Sequence, residues 1–303
     1  MKITKFAALK TVFLLLFSYF LVCKLAETLL FTIVTYVVTT MGKSGMEFTN
    51  TVNEIASQYL LLSFAMGSTL VCATSYLGDK ALYRNQPFWN DRNKGILHLD
   101  RLAKREFFRG LTGGLLVALV LLSIFITSGQ VSYLGIYITS TFGTPIFPLF
   151  FTDLISLITF VVAEEYIFRH KVLRLLIERF GSWRANILTS GIYTLWKYFQ
   201  FSLTALDAFN IFLLSLALGY FFLSSGKTHR NIGFLIALLG ILHPIAGLSL
   251  WSHSSPSFFL LKVSSRASEL LSGGNAGPMA GLGMTSLLLL VAIGARLSAK
   301  HSV

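Results

Sequence analysis

The sequence is poor in charged residues. Asp, Glu, Lys and Arg make up 13% of its 303 residues, whereas a soluble globular protein carries about 25%. Hydrophobic residues make up 54% of the chain, and the mean hydropathy is +0.70. The apolar runs are continuous and do not alternate with polar residues, which predicts membrane-spanning helices. We therefore expect an all-α protein, a polytopic membrane helix bundle.

Cysteine is also scarce. Cys23 and Cys72 both lie inside apolar segments, so they suggest neither a disulfide framework nor a spaced set of metal ligands. No His-Glu-x-x-His sequence occurs, and a single histidine falls within a predicted span, which argues against a catalytic zinc site. The Gly-x-Ser-x-Gly sequence of many serine hydrolases is absent as well. We expect neither a metal nor a cofactor.

Eight segments have roughly the 20 residues needed to cross a bilayer. Their predicted bounds are 11–38, 55–77, 110–128, 147–168, 185–202, 209–225, 232–250 and 280–297. The first is expected to remain as an uncleaved span, because no small-x-small cleavage site precedes Lys24. Residues 131–142 are apolar but too short to span, and we expect an interfacial or re-entrant piece there.

Positive charge is distributed unevenly between the two sides. With a cytoplasmic N-terminus, 20 of the 25 Lys and Arg residues fall on cytoplasmic segments, and the outer segments hold Lys43, Lys262 and Arg266. Such a bias predicts that both termini are cytoplasmic. The net charge of +12 then reflects orientation and contact with membrane lipids, and we expect no nucleic-acid partner. The protein is predicted to reside in a bacterial inner (cytoplasmic) membrane.

The one sizeable polar loop, 79–109, divides the chain. Residues 1–109 are predicted to form an N-terminal two-helix hairpin plus this basic cytoplasmic loop, and residues 110–303 the main helix bundle. Within the loop, His98 to Arg109 mixes apolar and basic residues and fits a membrane surface, although a solvated loop is the simpler interpretation. No internal repeat is evident, whereas repeated halves are typical of many transporters.

Ionisable side chains interrupt the predicted spans at Asp153, Glu164, Glu165, Lys197 and His243. Each charged residue at a helix centre costs about 2.5–3.5 kcal/mol on insertion scales, so such residues usually face a protein interior and are candidates for function. Glu165 and Arg169 are i,i+4 neighbours on a helix, which leaves Glu164 free to act on water. Lys197, near mid-bilayer, needs a counter-ion or a water cavity. We predict that these groups share one hydrated cavity.

Such a set contains the parts for peptide hydrolysis without a metal. A carboxylate in an apolar cavity can act as a general base toward water, and a lysine or histidine opposite it can stabilise a developing oxyanion. Structural roles stay open for the same residues. Lys197 could be an ion pair joining two spans, His243 a hydrogen-bonded core residue, and Asp153 a packing residue.

The motif Glu164-Glu165-x-x-x-Arg169 ends a predicted span and precedes a basic loop. It resembles the first motif of the CAAX protease and bacteriocin-processing (CPBP, or Abi) family. The resemblance covers about residues 110–298 and implies a helix bundle with a cytoplasm-facing intramembrane cavity. Active members of that family are glutamic endopeptidases, among them the prenyl protease that trims farnesylated proteins. The resemblance implies that Glu164, with Glu165 beside it, is the general base and that His243 positions water or stabilises an oxyanion.

Two further motifs of the family match in part. Where the family has Phe-x-x-x-His, this sequence has Tyr193-x-x-x-Lys197. Where the family has His followed four residues later by Asn or Asp, it has His243-x-x-x-Gly247. The absence of that Asn removes one oxyanion donor, and a single such donor is worth about 10²–10³ in rate.

Three functions fit these residues. The first is an intramembrane glutamic endopeptidase that cleaves a membrane-associated or lipidated protein near the cytoplasmic face. Its candidate catalytic residues are Glu164, Glu165, Arg169, His243, Lys197 and Tyr193. The second is a pseudo-protease in which Lys197 neutralises the glutamates and the bundle binds or regulates another membrane protein. The third is a small transporter that uses the intramembrane charges as a proton or ion path.

Overall fold

Three helices form the N-terminal part of the chain. The computed structural model describes residues 5–83, 100–136, 146–201, 203–250, 257–264 and 267–300. α1 spans Lys5–Thr40, α2 spans Gly45–Gln58 and α3 spans Leu60–Tyr83. α1 packs against α3, and the backbone of Cys23 lies so close to Gly67 that a side chain at Gly67 would crowd it. The small residue therefore allows these two helices to approach closely.

α4 spans Arg101–Thr127 and begins at a capped end. The side chain of Asp100 accepts a hydrogen bond from the backbone N–H of Ala103 at 2.6 Å, which satisfies one of the donors that a helix N-terminus leaves unpaired. The predicted membrane-surface stretch from His98 begins outside the described residues, and from Arg101 onward it is helical.

The helix that carries the adjacent glutamates is longer than the predicted span 147–168. α5 spans Ile146–Glu165, the chain continues as a π-helix over Tyr166–Leu173, and α6 spans Arg174–Phe180. Gly181, at φ +76°, ends this rod, and α7 returns over Ser182–Gln200. Glu164 and Glu165 therefore lie near the middle of the rod, not near its end as the predicted bounds implied.

α8 spans Ala205–Ser225 and α9 spans His229–Gly240. A capping box starts α8, in which Thr204 and Asp207 each accept a hydrogen bond from the backbone N–H of the other. α9 widens into a π-turn over Ile241–Ile245, which contains Pro244. Because proline lacks an N–H and its ring crowds the preceding turn, a wider turn accommodates it within the helix.

The chain enters its last helix through a series of tight turns. α10 spans Glu269–Ser272, two 3₁₀ turns cover Gly274–Ala276 and Pro278–Ala280, and α11 spans Leu282–Lys300. Residues 273–281 are therefore rich in turns. Asn210 of α8 fixes this segment, because its Nδ2 donates to the carbonyl oxygens of Met279 at 2.7 Å and Gly281 at 3.1 Å.

A two-stranded antiparallel sheet departs from the all-α prediction. β1 (Val131–Ile136) pairs with β2 (Phe259–Val263), with a bulge between Tyr133 and Gly135. β1 takes up the first half of the segment for which an interfacial or re-entrant piece is predicted, and residues 137–142 lie outside the described part. Apart from this sheet, the regular structure of the described residues is helical.

Glycines let α4 and α9 approach at backbone distance. A methyl group at Gly114 would overlap the carbonyl oxygen of Phe234, and one at Gly233 would overlap that of Phe107. Contacts of this kind are typical of membrane helices, which pack through small residues because lipid provides no hydrophobic driving force between them. The close crossing fixes α9 where Asn231 reaches the glutamate-bearing rod.

Six helices among the described residues are long and apolar enough to cross a membrane: Lys5–Thr40, Leu60–Leu77, Arg101–Thr127, Phe147–Phe180, Ala205–Ser225 and Leu282–Ala299. The two other predicted spans are helical over most of their length. The span 185–202 falls on α7, which is less apolar, and the span 232–250 falls on the shorter apolar helix His229–Ile245. The polytopic helical character is thus confirmed, and the count of eight spans stays a prediction.

Candidate active site

Glu164 is held by two side chains of α7. Its Oε2 atom lies 2.8 Å from Nζ of Lys197 and accepts a hydrogen bond from the hydroxyl of Tyr193 at 2.9 Å. All three side chains are buried. Oε1 of Glu164 accepts no hydrogen bond from any of the described residues. One oxygen of this carboxylate is thus fixed, and the other is buried without a hydrogen-bond partner among the described residues.

The turn at Gly181 explains why Glu164 and Lys197 meet. Glu164 lies 17 residues before Gly181 and Lys197 lies 16 residues after it. The two positions therefore come level when α7 folds back along the rod. Tyr193 precedes Lys197 by four residues and shares its face of α7. The contact thus follows from the length of the rod, which the predicted bounds had underestimated.

Aromatic rings surround the Lys197 ammonium. Nζ lies 4.2 Å from the ring centroid of Phe160 and 5.4 Å from the centroids of Tyr193 and Phe201. Cation–π contacts contribute about 0.5–2 kcal/mol each, with the larger values in desolvated places. Together with the Glu164 carboxylate, these rings offset the cost of burying the ammonium group.

Each oxygen of Glu165 has a polar contact, an ion pair without a hydrogen bond at Oε1 and a hydrogen bond at Oε2. Oε1 lies 3.2 Å from Nη1 of Arg169, and Oε2 accepts a hydrogen bond from Nδ2 of Asn231 at 2.8 Å. The predicted i,i+4 contact of Glu165 with Arg169 is present, although the residues between them are π-helical. Arg169 also donates from Nη2 to Oγ of Ser215 at 3.1 Å, and its guanidinium lies 4.7 Å from the Tyr193 ring centroid. This cluster ties the π-helix to α8 and α9.

His243 lies beside Asp153. Its Nε2 atom is 3.7 Å from Oδ2 of Asp153, and its Nδ1 is 3.1 Å from the carbonyl oxygen of Leu248. Asp153 precedes Glu164 by 11 residues on α5, which corresponds to about 16 Å of helical rise. The residues predicted to share one cavity therefore make their contacts at two levels of α5. Lys197 meets Glu164 at one level, and His243 meets Asp153 at the other.

Gly247, which stands where the third family motif has Asn or Asp, has no space for a larger side chain. Gly247 adopts φ +76°, and a Cβ atom there would overlap the hydroxyl of Ser257 and crowd the carbonyl oxygen of Phe259. An asparagine would be strained at this φ and would lack space for its side chain. The departure from the family motif is thus built into the local backbone conformation.

Two residues of this arrangement were not among the candidates from the sequence. Asn231 and Ser215 are both buried and both contact the glutamate–arginine cluster. Asn231 carried a usable signal, because an amide at the start of an apolar helix needs a polar partner once it is buried. Ser215 carried little signal, because a serine hydroxyl can bond to the carbonyl of its own helix.

Replacement of Asn231 by Leu is expected to destabilise the protein by about 1–3 kcal/mol, because a buried carboxylate and a buried carbonyl both lose their donor. The carboxylate is that of Glu165, and the carbonyl is that of Leu218. Denaturant unfolding of the purified variant in detergent micelles measures the change. The exposed Asn53 of α2 provides the control, since Asn53→Leu removes no buried contact. Equal stability of the two variants would contradict the assigned hydrogen bonds.

A family model matches the part of the chain that contains these residues. Residues 146–243 match the family model described as Type II CAAX prenyl endopeptidase Rce1-like. No curated protein and no solved structure matches the chain significantly. The matched segment begins with α5 and ends at His243, so it contains Glu164, Lys197 and the π-helix between α5 and α6. This segment of the chain is similar to the type II CAAX prenyl endopeptidases, and the resemblance indicated by the glutamate–arginine motif is confirmed over these residues.

Proposed function

We propose that the protein is a CAAX-type membrane endopeptidase that uses Glu164 to activate water. The similarity of residues 146–243 to a protease family supports endopeptidase activity in general, and the six apolar helices support an integral membrane protein. The observation that carries the catalytic part is the unpartnered Oε1 atom of Glu164. Because Tyr193 and Lys197 fix the other oxygen, Oε1 is presented in a defined direction, as a general base requires.

In the proposed reaction, Oε1 of Glu164 takes a proton from a water molecule while the water oxygen bonds to the carbonyl carbon of the scissile peptide. The carbonyl oxygen becomes an oxyanion, which the ammonium of Lys197 stabilises. The carbon–nitrogen bond then breaks, and Glu164 returns the proton to the leaving amine. The products are one new carboxyl group and one new amino group.

Glu165, Arg169 and His243 take supporting roles in this proposal. Both oxygens of Glu165 are engaged, so we assign it and Arg169 to holding the π-helix beside Glu164. His243 contacts Asp153 at another level of α5, so we assign it to the packing of α5 against the π-turn of α9. Each of these residues acts through position and not by activating water.

We further propose that eight segments cross a bacterial inner membrane with both termini in the cytoplasm, as the distribution of Lys and Arg predicts. The substrate is then a membrane-associated or lipidated protein that is cut near the cytoplasmic face. A reporter enzyme fused to the C-terminus and active only in the cytoplasm tests the orientation. An inactive reporter on an inserted protein would contradict it.

A cleavage assay with the full-length protein tests the activity. Purified protein in lipid nanodiscs is incubated with a farnesylated CAAX-type peptide, and mass spectrometry is expected to detect a shortened, still farnesylated product that accumulates with time. The variant Glu47→Gln, at an exposed glutamate paired with Lys43, is the matched control and should cleave like the wild type. A peptide that stays intact at all times would refute endopeptidase activity on this class of substrate.

The contact between Lys197 and Glu164 favours a second function, that of a pseudo-protease. At 2.8 Å the ammonium engages the carboxylate directly, at a position where the family has histidine, and Gly247 leaves no room for the missing Asn. The bundle would then bind or regulate another membrane protein. This alternative predicts that the wild type cleaves nothing and that Lys197→His restores cleavage.

A further inference from the structure

Near the C-terminal end of α7, the buried side chains of Trp196 and Gln200 have no hydrogen-bond partner among the described residues. Neither Nε2 nor Oε1 of Gln200 makes a hydrogen bond, and Nε1 of Trp196 donates none. Gln200 is 9% exposed and Trp196 is 5% exposed. Native structures keep few buried polar groups unsatisfied, because each one costs the free energy of its lost hydration. These two groups therefore require an explanation.

Both side chains lie on α7 next to Lys197, the residue that contacts the Glu164 carboxylate. Trp196 precedes Lys197, and Gln200 follows Lys197 by three residues, which places it on a neighbouring part of the same helix face. The ring of Trp196 stacks on Tyr19 of α1 with 4.2 Å between centroids. Trp196, Gln200 and Oε1 of Glu164 thus form a set of unpartnered groups, here termed the polar strip.

The chemistry of the polar strip fits the main chain of a peptide. A glutamine amide provides an acceptor and two donors, so it can bind a peptide N–H and a peptide C=O together, while an indole N–H donates to a second carbonyl. An extended peptide advances about 3.3 Å per residue, and the three helical steps from Lys197 to Gln200 rise about 4.5 Å. The Gln200 amide therefore reaches the main chain one or two residues away from a bond placed beside Glu164.

We propose that Trp196 and Gln200 form a subsite for the main chain of a peptide substrate, one or two residues from the bond that Glu164 hydrolyses. The inference rests on the proposed function, because it takes a peptide as the ligand. Tyr19 covers Trp196, so a peptide reaches the polar strip when α1 moves away from α7. The peptide main chain then supplies the partners that these side chains lack in the closed arrangement.

N-methylation of the peptide main chain tests the proposal. The probe is a fluorescent farnesylated CAAX-type peptide, together with a series in which one main-chain amide at a time is N-methylated. Binding to the full-length protein in nanodiscs is followed by fluorescence anisotropy, and product formation by mass spectrometry of the same samples. For the wild type, methylation at one or two adjacent amides is expected to weaken binding about tenfold, the effect of losing one good hydrogen bond.

The variant Gln200→Leu removes the proposed partner of those amides. It is expected to bind the parent peptide about tenfold more weakly and to lose its sensitivity to N-methylation at the same positions. Trp196→Phe, which keeps the ring but not the N–H, is expected to weaken binding of the parent peptide as well. If the effects of Gln200→Leu and of N-methylation on the binding free energy are not additive, the Gln200 amide and the methylated peptide amide are in contact.

Thermal unfolding separates a binding role from a structural one. Gln200→Leu is expected to keep or raise the Tm, because it removes an unsatisfied buried amide. The matched control is Gln130, also 9% exposed, whose amide donates to the carbonyl of Ser128 and accepts from the N–H of Ser268. Gln130→Leu is expected to lower the Tm. A lower Tm for Gln200→Leu would overturn the proposal, since it would show that the amide is already satisfied.

The outcomes distinguish this subsite from the proposed function. Persistent N-methyl sensitivity in Gln200→Leu, or unchanged affinity for the parent peptide, would overturn the subsite even if the wild type cleaves. Loss of that sensitivity without any product would support the subsite and count against hydrolysis. No binding of the peptide by the wild type would overturn both.

Discussion

Replacement of Glu164 by Gln is expected to abolish cleavage of the farnesylated peptide. An amide cannot take the proton from water, and general-base catalysis contributes about 10²–10⁴ in rate. The loss should appear in kcat, because the proposed binding contacts of the peptide with Trp196 and Gln200 are unchanged in this variant. Single-turnover cleavage by the purified variant, followed by mass spectrometry and corrected for the folded fraction, measures the effect.

Glu165→Gln is the matched control for this experiment. Glu165 is the adjacent residue of the same helix and equally buried, but both of its oxygens are engaged, by Arg169 and Asn231. Its replacement should reduce stability while the folded molecules retain most of their activity. Equal losses of activity per folded molecule in the two variants would contradict the assignment of water activation to Glu164.

Replacement of Lys197 by Met is expected to destabilise the protein by about 3–5 kcal/mol, because it leaves the Glu164 carboxylate buried without its counter-charge. Combining it with Glu164→Gln removes the second charge, so the double variant should recover most of the lost stability. Denaturant unfolding of the wild type, both single variants and the double variant gives the coupling energy of the pair.

The control for the lysine is Lys43→Met. Lys43 also lies 2.7 Å from a glutamate, Glu47, but this pair is exposed, and exposed pairs are worth about 0–1 kcal/mol. A cost at Lys197 as small as the cost at Lys43, or a double variant no more stable than Lys197→Met alone, would contradict a buried ion pair. Such an outcome would also count against cation–π stabilisation of the Lys197 ammonium by the rings of Phe160 and Phe201.

Contacts set by local helical geometry could be predicted from the sequence. The pairing of Glu165 with Arg169 needs only a helical spacing of four, and the close spacing survives in the π-helix. The burial of Glu164, Lys197 and His243 followed from their position in apolar segments. The resemblance to CAAX proteases followed from the Glu-Glu-x-x-x-Arg motif, and the match over residues 146–243 confirms it for that segment.

Contacts between distant elements could not be predicted in the same way. The partner of Lys197 depends on how far the rod extends before Gly181, and the apolar pattern does not reveal that a π-helix continues it. His243 was expected near the glutamates, but its ring lies beside Asp153. Asp153 is on the same helix as Glu164, 11 residues earlier. Asn231 reaches Glu165 because glycines bring α4 and α9 together, a packing effect that has no local signal.

The small sheet was missed for a different reason. Residues 131–142 form a short apolar run, and periodicity alone does not separate a strand from a buried helical piece of that length. β1 is stabilised by pairing with β2, which lies more than 120 residues later in the chain. A non-local partner thus decided the local structure.

The central claim is that Oε1 of Glu164 activates water while Lys197 and Tyr193 hold the carboxylate. It is tested most directly by single-turnover cleavage of the farnesylated peptide by the wild type and by the double variant Glu164→Gln, Lys197→Met, which removes the charge pair while retaining the fold. We predict that the wild type produces the shortened peptide and that the folded double variant produces none. Equal cleavage rates for the two proteins, or an intact peptide with the wild type, would contradict the claim.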